Sequence, residues 1–211
     1  MKRSGKRKTF LTNIAAGIIF FISQTIIGTP HDFVQLGGTV EDVVDGDTIT
    51  VRLTNNTLET VRFWGIDAPE SYVKRFGYEE FLGKEAYHFT RKLLIGKKII
   101  IQTKKTNDSL LRDKYHRLLA FVSENNRDIA ILLLKEGLAK VYRKSKSPRH
   151  NEIINIENDA AARKIGIWNK EAEKEYYRRQ FEKNKNRFLI IWFWEHDKEY
   201  LKKLLNESSA R

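Results

Sequence analysis

Two aspartates stand at the ends of a predicted β-hairpin, and together they favour a cation site. Asp47 opens the first strand pattern, in which apolar and polar residues alternate over 48–53. Asp67 closes the second pattern, which covers 58–66 and stops before Pro69, because proline cannot donate to a sheet ladder. Antiparallel pairing would bring the two carboxylates together, where they repel unless a proton or a cation intervenes. Ca²⁺ accepts carboxylates, backbone carbonyls and waters, so we expect a hard-cation site here.

Each aspartate also has an ordinary structural explanation, so the cation interpretation depends on the whole group. Asp45 and Asp47 flank a glycine in a tight-turn signal, and Asp67 would cap a loop. The group is harder to explain in this way once Arg62 and Glu70 are included, since they lie close to Asp67 in the sequence.

A geometric condition must hold if Arg62 and Asp67 are to share one pocket. Their positions differ by an odd number, so a regular strand would direct them to opposite faces. The chain must therefore bend or bulge between them, and Gly65 is the natural place for the bend. A flat strand through Gly65 would count against a shared site.

Three sequence blocks, in this order, resemble the thermonuclease (staphylococcal nuclease-like) family. They are Asp-Gly-Asp-Thr-Ile at 45–49, Arg62 followed by Asp-Ala-Pro-Glu at 67–70, and Asp-Lys-Tyr-His-Arg-Leu-Leu-Ala at 113–120. The similarity runs from about Gly38 to Trp168. Each block alone is a weak signal, but their order, with strand and helix patterns between them, makes the resemblance specific.

The resemblance implies a nuclease that uses one calcium ion to hydrolyse DNA and RNA and leaves 3′-phosphate ends. Asp47 and Asp67 would hold the metal, with the carbonyl of Ala68 as a backbone ligand. Arg62 and Arg117 would grip the phosphate, because a guanidinium is planar, always charged and able to bond two oxygens at once. The same resemblance implies that Glu70 activates or orients the attacking water.

Further residues of the third block are implied to contact the nucleotide. Lys114 and Tyr115 would lie beside its phosphate, and Tyr142 would line the base pocket. The alternatives are a surface charge for Lys114 and ordinary amphipathic core positions for the two tyrosines. His116 stands where the family usually has glycine, so either its side chain crowds the loop that carries Arg117 or the loop has no positive φ there.

The pattern of elements indicates an α+β domain over 34–168. Periodicity alone does not separate an OB barrel from other α+β folds, but the resemblance implies a five-stranded OB-fold β-barrel with about three packed helices. Such barrels commonly bind nucleic acid on one face. The predicted strands cover 34–44, 48–53, 58–66, 97–103 and 117–123, with an extended piece at 139–143, and the predicted helices cover 81–94, 128–134 and 151–168.

The N-terminal residues 1–28 resemble a secretory signal or a membrane anchor. Five basic residues within 1–9 precede an uncharged stretch over 10–28 that is rich in apolar residues. Its length also permits an uncleaved span, which would associate the protein with a membrane. We expect export in both cases, either as a secreted or periplasmic protein or anchored with the domain outside the cytoplasm.

The C-terminal residues 169–211 lie outside the resemblance, and no role follows for them from the sequence. Residues 171–187 are densely charged, with Tyr177 and Phe181 at helical spacing, which predicts a charged helical extension. The apolar run over 188–194 is too short to span a bilayer, so it indicates a packing segment, a membrane-interface contact or a partner surface.

The amino-acid composition favours one kind of partner and excludes several kinds of site. The formal net charge of +12 favours a polyanionic partner, and the absence of cysteine excludes disulfides, zinc–thiolate sites and a cysteine nucleophile. The five histidines show no metal-ligand spacing.

We expect a monomeric nuclease acting on DNA and RNA. The alternative is a non-catalytic OB-fold module that binds nucleic acid or protein and is held at the membrane.

Overall fold

Five long strands close into a barrel in the computed structural model, which describes residues 33–71, 79–106 and 109–183. The barrel strands are β1 (Phe33–Asp45), β2 (Thr48–Leu53), β3 (Leu58–Phe63), β5 (Lys98–Thr106) and β7 (Leu118–Glu124). The strand β1 pairs with β2 and β5, and β3 pairs with β2 and, in parallel, with β7. An antiparallel pairing of β5 with β7 closes the barrel, which confirms the predicted five-stranded OB-type barrel.

Helices and short strands surround this barrel. The helix α2 begins after Asp128, whose side chain accepts the N–H of Ile131 across 2.9 Å as an N-cap. Among the described residues, the helices are α1 (Gly83–Leu94), α2 (Ile129–Lys135), α3 (His150–Ala162) and α4 (Lys170–Lys183), with a 3₁₀ turn at Gly166–Trp168, and the short strands are β4 (Ile66–Asp67), β6 (Ser109–Leu110), β8 (Arg127–Asp128) and β9 (Lys140–Val141).

The core fills the barrel because alternate strand residues point inward. In β2 the predicted alternation holds from Ile49 to Leu53, since Ile49, Val51 and Leu53 are buried and the residues between them are partly exposed. At Thr48 it is wrong, because this threonine is buried as well. The helix α1 closes one side of the barrel through a small-residue face, and its Thr90 hydroxyl donates to the Gly46 carbonyl across 2.6 Å. This bond ties α1 to the turn that carries the first aspartates.

Two predicted elements end earlier in the structure than their sequence patterns do. The predicted strand over 58–66 is wrong beyond Phe63, where the chain turns and resumes as the short strand β4. The predicted helix over 151–168 is wrong beyond Ala162, because Lys164 and Gly166 adopt left-handed backbone conformations with φ of 55° and 57°. A Cβ on Gly166 would lie 2.1 Å from the Gly137 carbonyl oxygen, so this turn requires glycine.

Several sequence predictions lie outside the described residues. They include the signal or anchor segment at 1–28, most of the predicted loop at 71–80, and the apolar run at 188–194. In the ranges that the structure describes, no helix is both long enough and apolar enough to cross a membrane. The predicted charged helix after Trp168 is confirmed as α4.

Candidate active site

The centre of the candidate site is Asp47, which is almost fully buried in the turn between β1 and β2. Its Oδ2 accepts the backbone N–H of Ala68 across 2.6 Å, and its Oδ1 accepts the Thr48 hydroxyl across 3.1 Å. The same Oδ1 forms an ion pair with Arg62. A buried carboxylate requires such partners, because leaving it unpaired would cost several kcal/mol or more.

Arg62 lies between the two aspartates that the sequence analysis selected as metal ligands. Its Nη2 donates to Asp67 Oδ1 across 2.7 Å and to the Ile66 carbonyl across 3.2 Å, while its Nη1 contacts Asp47. Withdrawal from water lowers the pKa of Arg62, nearby Arg117 lowers it further, and Asp67 opposes both effects. The two carboxylates therefore converge on one guanidinium.

The predicted bend at Gly65 is confirmed, and it is what permits this convergence. Gly65 has a φ of 98°, a backbone conformation that other residues rarely adopt. A Cβ at this position would also lie 3.1 Å from Ser147 and 3.0 Å from Ile153. After the bend, the short strand β4 pairs with β9, which turns Asp67 toward Arg62.

Arg117 is held in place by Asp113, a residue that the sequence analysis quoted in the third block but did not assign to the site. Arg117 donates to the Asp113 carboxylate through Nε and through its backbone N–H, at 2.7 Å and 2.9 Å. Its Nη1 reaches the Thr48 hydroxyl across 3.5 Å. Thr48 also bonds to Asp47, so Arg117 lies beside the acidic turn at 45–47, as Arg62 does.

Asp113 is a carboxylate suited to this role. Partial burial acts to raise its pKa, but the hydrogen bonds from Arg117 and from the Tyr115 backbone outweigh that effect and hold the pKa below its ordinary value. Asp113 therefore stays ionised at neutral pH. The signal that was available in the sequence is the four-residue spacing between Asp113 and Arg117 in one turn.

Glu70 follows Pro69 and lies near two other acids, Asp45 and Glu80. As a residue it is exposed, yet withdrawal of its carboxyl group from water raises its pKa to about 8, together with a hydrogen bond shared with Asp45 and repulsion from Asp45 and Glu80. Arg62 acts in the opposite direction. Glu70 thus has an environment in which its carboxylate is a stronger base than an ordinary glutamate.

The structure places the three predicted nucleotide contacts at the surface. Tyr115 is 65% exposed and Tyr142 is 46% exposed, which excludes ordinary core positions for both tyrosines. Lys114 and Arg117 both lie over the Tyr115 ring, at 4.9 Å and 5.3 Å from its centroid. All three predicted residues line the same cleft as Arg62 and Arg117.

His116 keeps the backbone conformation that glycine would favour. Its φ is 65°, so the expectation that the loop could run without positive φ is wrong. The His116 side chain is exposed, and its N–H donates to the Asp113 carbonyl across 3.0 Å within the turn. The turn that presents Arg117 therefore survives the change of residue type, at the backbone cost that a left-handed non-glycine residue carries.

The cleft has a volume of about 950 Å³ and carries a basic wall that the sequence analysis did not assign to the site. The residues of this wall are Lys104, Lys144 and Lys146, and the last two belong to one loop. The loop with these two lysines is anchored at its flanks, where Arg143 pairs with the buried Glu157 and Arg149 pairs with an aspartate at the start of α2. The lysines are thus presented toward the cleft by fixed neighbours.

The residues present fit a hard divalent cation by the chemistry of their donors. Asp47 and Asp67 offer carboxylate oxygens, and Asp67 Oδ2 lies 3.6 Å from Lys140 Nζ. Two carboxylates, a backbone carbonyl and waters form a donor set that Ca²⁺ accepts. Within 33–71, 79–106 and 109–183, no three acidic or histidine side chains gather into a larger ligand cluster.

Fold and site together define a small α+β protein, built on an OB-type barrel, whose cleft sets two arginines beside a pair of converging aspartates. The chain belongs to the staphylococcal nuclease homologue family, which matches residues 60–170. The resemblance seen in the three sequence blocks is thereby confirmed.

Similar proteins occur in archaea and bacteria. An uncharacterised protein of Methanocaldococcus jannaschii is 35% identical over 151 residues, which cover 63% of this chain and 71% of that protein. Endonuclease YncB of Bacillus subtilis is 32% identical over 148 residues, 68% of each chain. The thermonuclease of Staphylococcus intermedius is 30% identical over 130 residues, which cover 61% of this chain and 74% of the enzyme.

Proposed function

We propose that this protein is an exported, calcium-dependent nuclease that hydrolyses phosphodiester bonds of DNA and RNA and leaves 3′-phosphate ends. The observation that carries the proposal is the convergence of Asp47 and Asp67 on Arg62, with Arg117 beside the same turn. A module that only binds nucleic acid has no need of carboxylates facing a phosphate, since they repel it. Family membership supports the same activity.

The two arginines supply the phosphate-binding part of the mechanism. Arg62 and Arg117 line one cleft, so a phosphodiester placed there receives hydrogen bonds and positive charge from both guanidiniums. Asp113 keeps Arg117 oriented before substrate arrives. Charge that develops on the phosphoryl oxygens in the transition state meets donors that are already in place.

Asp47, Asp67 and the Ala68 carbonyl would hold the calcium ion. When bound, the ion would add positive charge near the phosphoryl oxygens and help to neutralise them. Burial of Asp47 and its bond to the Ala68 N–H keep this part of the site in a fixed geometry.

Glu70 is the residue in this site best suited to take a proton from the attacking water. A base works best when its pKa lies near the operating pH, and that of Glu70 is raised to about 8. The water oxygen forms the new bond to phosphorus, Glu70 takes its proton, and the bond from phosphorus to the 5′ oxygen breaks. The 5′ oxygen takes a proton from solvent, Glu70 releases its proton to solvent, and the phosphate remains on the 3′ side.

The experiment is a cleavage assay of the purified protein on single-stranded DNA and RNA, with Ca²⁺ or with a chelator. We expect cutting only with Ca²⁺, and fragments whose 3′ ends accept a polymerase-added nucleotide only after phosphatase treatment. Tight, salt-sensitive binding without cutting in any divalent cation would instead support the binding module. Detection of the folded domain outside the cytoplasm, in cells that express the full chain, tests export separately.

A further inference from the structure

Two tyrosines of the charged helix α4 contact residues 79–81, which come after Glu70 in the chain. The Tyr176 hydroxyl donates to the backbone carbonyl and to the carboxylate of Glu79, each across 3.2 Å. The Tyr177 hydroxyl accepts the backbone N–H of Phe81 across 3.2 Å. The rings of Phe81 and Tyr176 lie 5.4 Å apart, so polar and aromatic contacts coincide at one place.

This docking face differs from the rest of α4. Tyr177 is only 7% exposed, whereas the charged side chains of the helix pair with one another along its exposed surface. Glu175, for example, pairs with both Arg178 and Arg179, and Lys170 pairs with a glutamate one turn along. Such surface pairs contribute little to binding another element, whereas the tyrosines make direct contacts with residues 79–81.

Residues 79–83 are in direct contact with Glu70. The Glu80 N–H donates to the Glu70 carbonyl across 3.0 Å, and the Glu70 N–H donates to the Glu80 carboxylate across 3.1 Å. At Gly83, a Cβ would lie only 2.1 Å from the Glu70 carbonyl oxygen. The backbone of Glu70 is thus bonded and tightly packed against the segment that α4 secures.

The other side of Glu70 is held by the acidic turn. The Ser71 N–H donates to Asp45 Oδ1 across 3.1 Å, and the same oxygen accepts the Gly46 N–H across 2.8 Å. Glu70 therefore has two supports. One belongs to the barrel, and the other is the segment 79–83, which depends on a helix nearly one hundred positions later in the chain.

We propose that α4 is a positioning element of the active site, in which Tyr176 and Tyr177 hold residues 79–81 and thereby the backbone of Glu70. The proposal rests on the proposed function, in which Glu70 acts on the attacking water. It gives a role to the first part of the C-terminal extension, to which the sequence analysis assigned none.

The test uses the full chain with Tyr176→Phe and Tyr177→Phe, singly and together, in the wild-type and Glu70→Gln backgrounds. Each change removes a hydroxyl and keeps the ring. We expect the double variant to lower kcat about tenfold in the wild-type background, with KM changed less than about twofold, because the lost hydrogen bonds loosen Glu70 and leave the phosphate contacts unchanged. In the Glu70→Gln background we expect no further loss.

The matched control is Tyr87→Phe, on the half-buried tyrosine of α1 whose ring packs against His88. We expect this variant to keep wild-type kcat. Equal losses from the tyrosine pair in both backgrounds, or a loss confined to KM, would overturn the proposal and leave α4 a merely structural element. Full activity in the double variant would overturn it as well.

A second readout separates this proposal from the proposed function. Amide hydrogen exchange at Glu70 and Glu80 should become about tenfold faster in the double tyrosine variant and stay unchanged in Tyr87→Phe. Unchanged exchange would contradict the support role whatever the activity. Faster exchange in a protein that cuts no nucleic acid would support the physical link and refute the nuclease assignment alone.

Discussion

Arg62 donates to the carboxylate of Asp67 across 2.7 Å, although the two residues belong to opposite faces of one continuous strand pattern. The ion pair forms because the chain turns at Gly65 before Asp67 enters β4. The pairing of Asp67 with Arg62 therefore depends on the backbone conformation of a single glycine.

Gly65→Ala should destabilise the protein and weaken the Arg62–Asp67 pair. The left-handed φ and the 3.0–3.1 Å contacts to Ile153 and Ser147 both oppose a Cβ, so we expect a loss of about 2–3 kcal/mol in the free energy of unfolding, measured by urea denaturation. Gly96→Ala is the control, because Gly96 has φ of 70° but open space around it, and should cost about 1 kcal/mol. Equal losses at the two glycines would show that packing at Gly65 has no effect.

Asp113→Asn should impair Arg117 without removing it. The variant keeps the shape of the side chain but loses the charge that holds the guanidinium, so we expect about a tenfold to hundredfold fall in kcat/KM for single-stranded DNA. Asp159→Asn is the control, because it weakens an Asp–Arg pair of the same four-residue spacing, with Arg163 on α3, and neither residue lines the cleft. Wild-type kcat/KM in Asp113→Asn would contradict the positioning role of this aspartate.

The basic wall of the cleft should contribute to binding through phosphate contacts. Lys144→Ala and Lys146→Ala should each reduce the slope of log Kd against log salt for single-stranded DNA by about 0.7, the value for one lost phosphate contact. Lys98→Ala removes a lysine that lies in a different surface groove and should leave the slope unchanged. A uniform change in all three variants would indicate a general effect of net charge.

The raised pKa of Glu70 predicts a pH dependence of stability in the absence of divalent cations. The folded state keeps a proton on this carboxyl up to about pH 8, whereas the unfolded chain releases it near 4.5. The folded state binds more protons between those values, so the contribution of Glu70 to stability falls as the pH rises through that window. Glu70→Gln removes this contribution and should become more stable relative to wild type from about pH 5 to pH 8.

Urea denaturation of both proteins at several pH values in this window, with chelator present, measures the difference. Glu173→Gln on α4 serves as the control, because Glu173 pairs with Lys170 at the surface. A difference in stability between wild type and Glu70→Gln that stays constant with pH would show that the carboxyl of Glu70 titrates at its ordinary value.

The sequence was sufficient for those parts of the fold and site that depend on neighbouring residues. Alternation predicts β2 with its observed bounds, and the antiparallel hairpin predicts that Asp47 and Asp67 approach each other. The need for a bend at Gly65 follows from the odd separation of Arg62 and Asp67 in a strand pattern of period two. These features involve residues that are close in sequence, for which the strand period of two is a reliable guide.

Other features depend on contacts between distant parts of the chain, which periodicity does not report. The strand pattern over 58–66 continues through the apolar Trp64, but packing against Ser147 and Ile153 accompanies the turn that ends β3. The docking of Tyr177 on Phe81 joins residues 96 positions apart. No local signal in either segment indicates the other, so the docking of α4 on residues 79–81 did not follow from the sequence.

The most direct test of the nuclease assignment is single-turnover cleavage of single-stranded DNA in Ca²⁺ by wild type, Arg117→Ala and Glu70→Gln. Arg52→Ala and Glu41→Gln, an exposed ion pair away from the cleft, are the controls. We predict that each site variant slows cleavage by about 10²–10⁴-fold while both controls cut at the wild-type rate. Cleavage at the wild-type rate by Arg117→Ala and Glu70→Gln would contradict the assignment of this cleft as the active site.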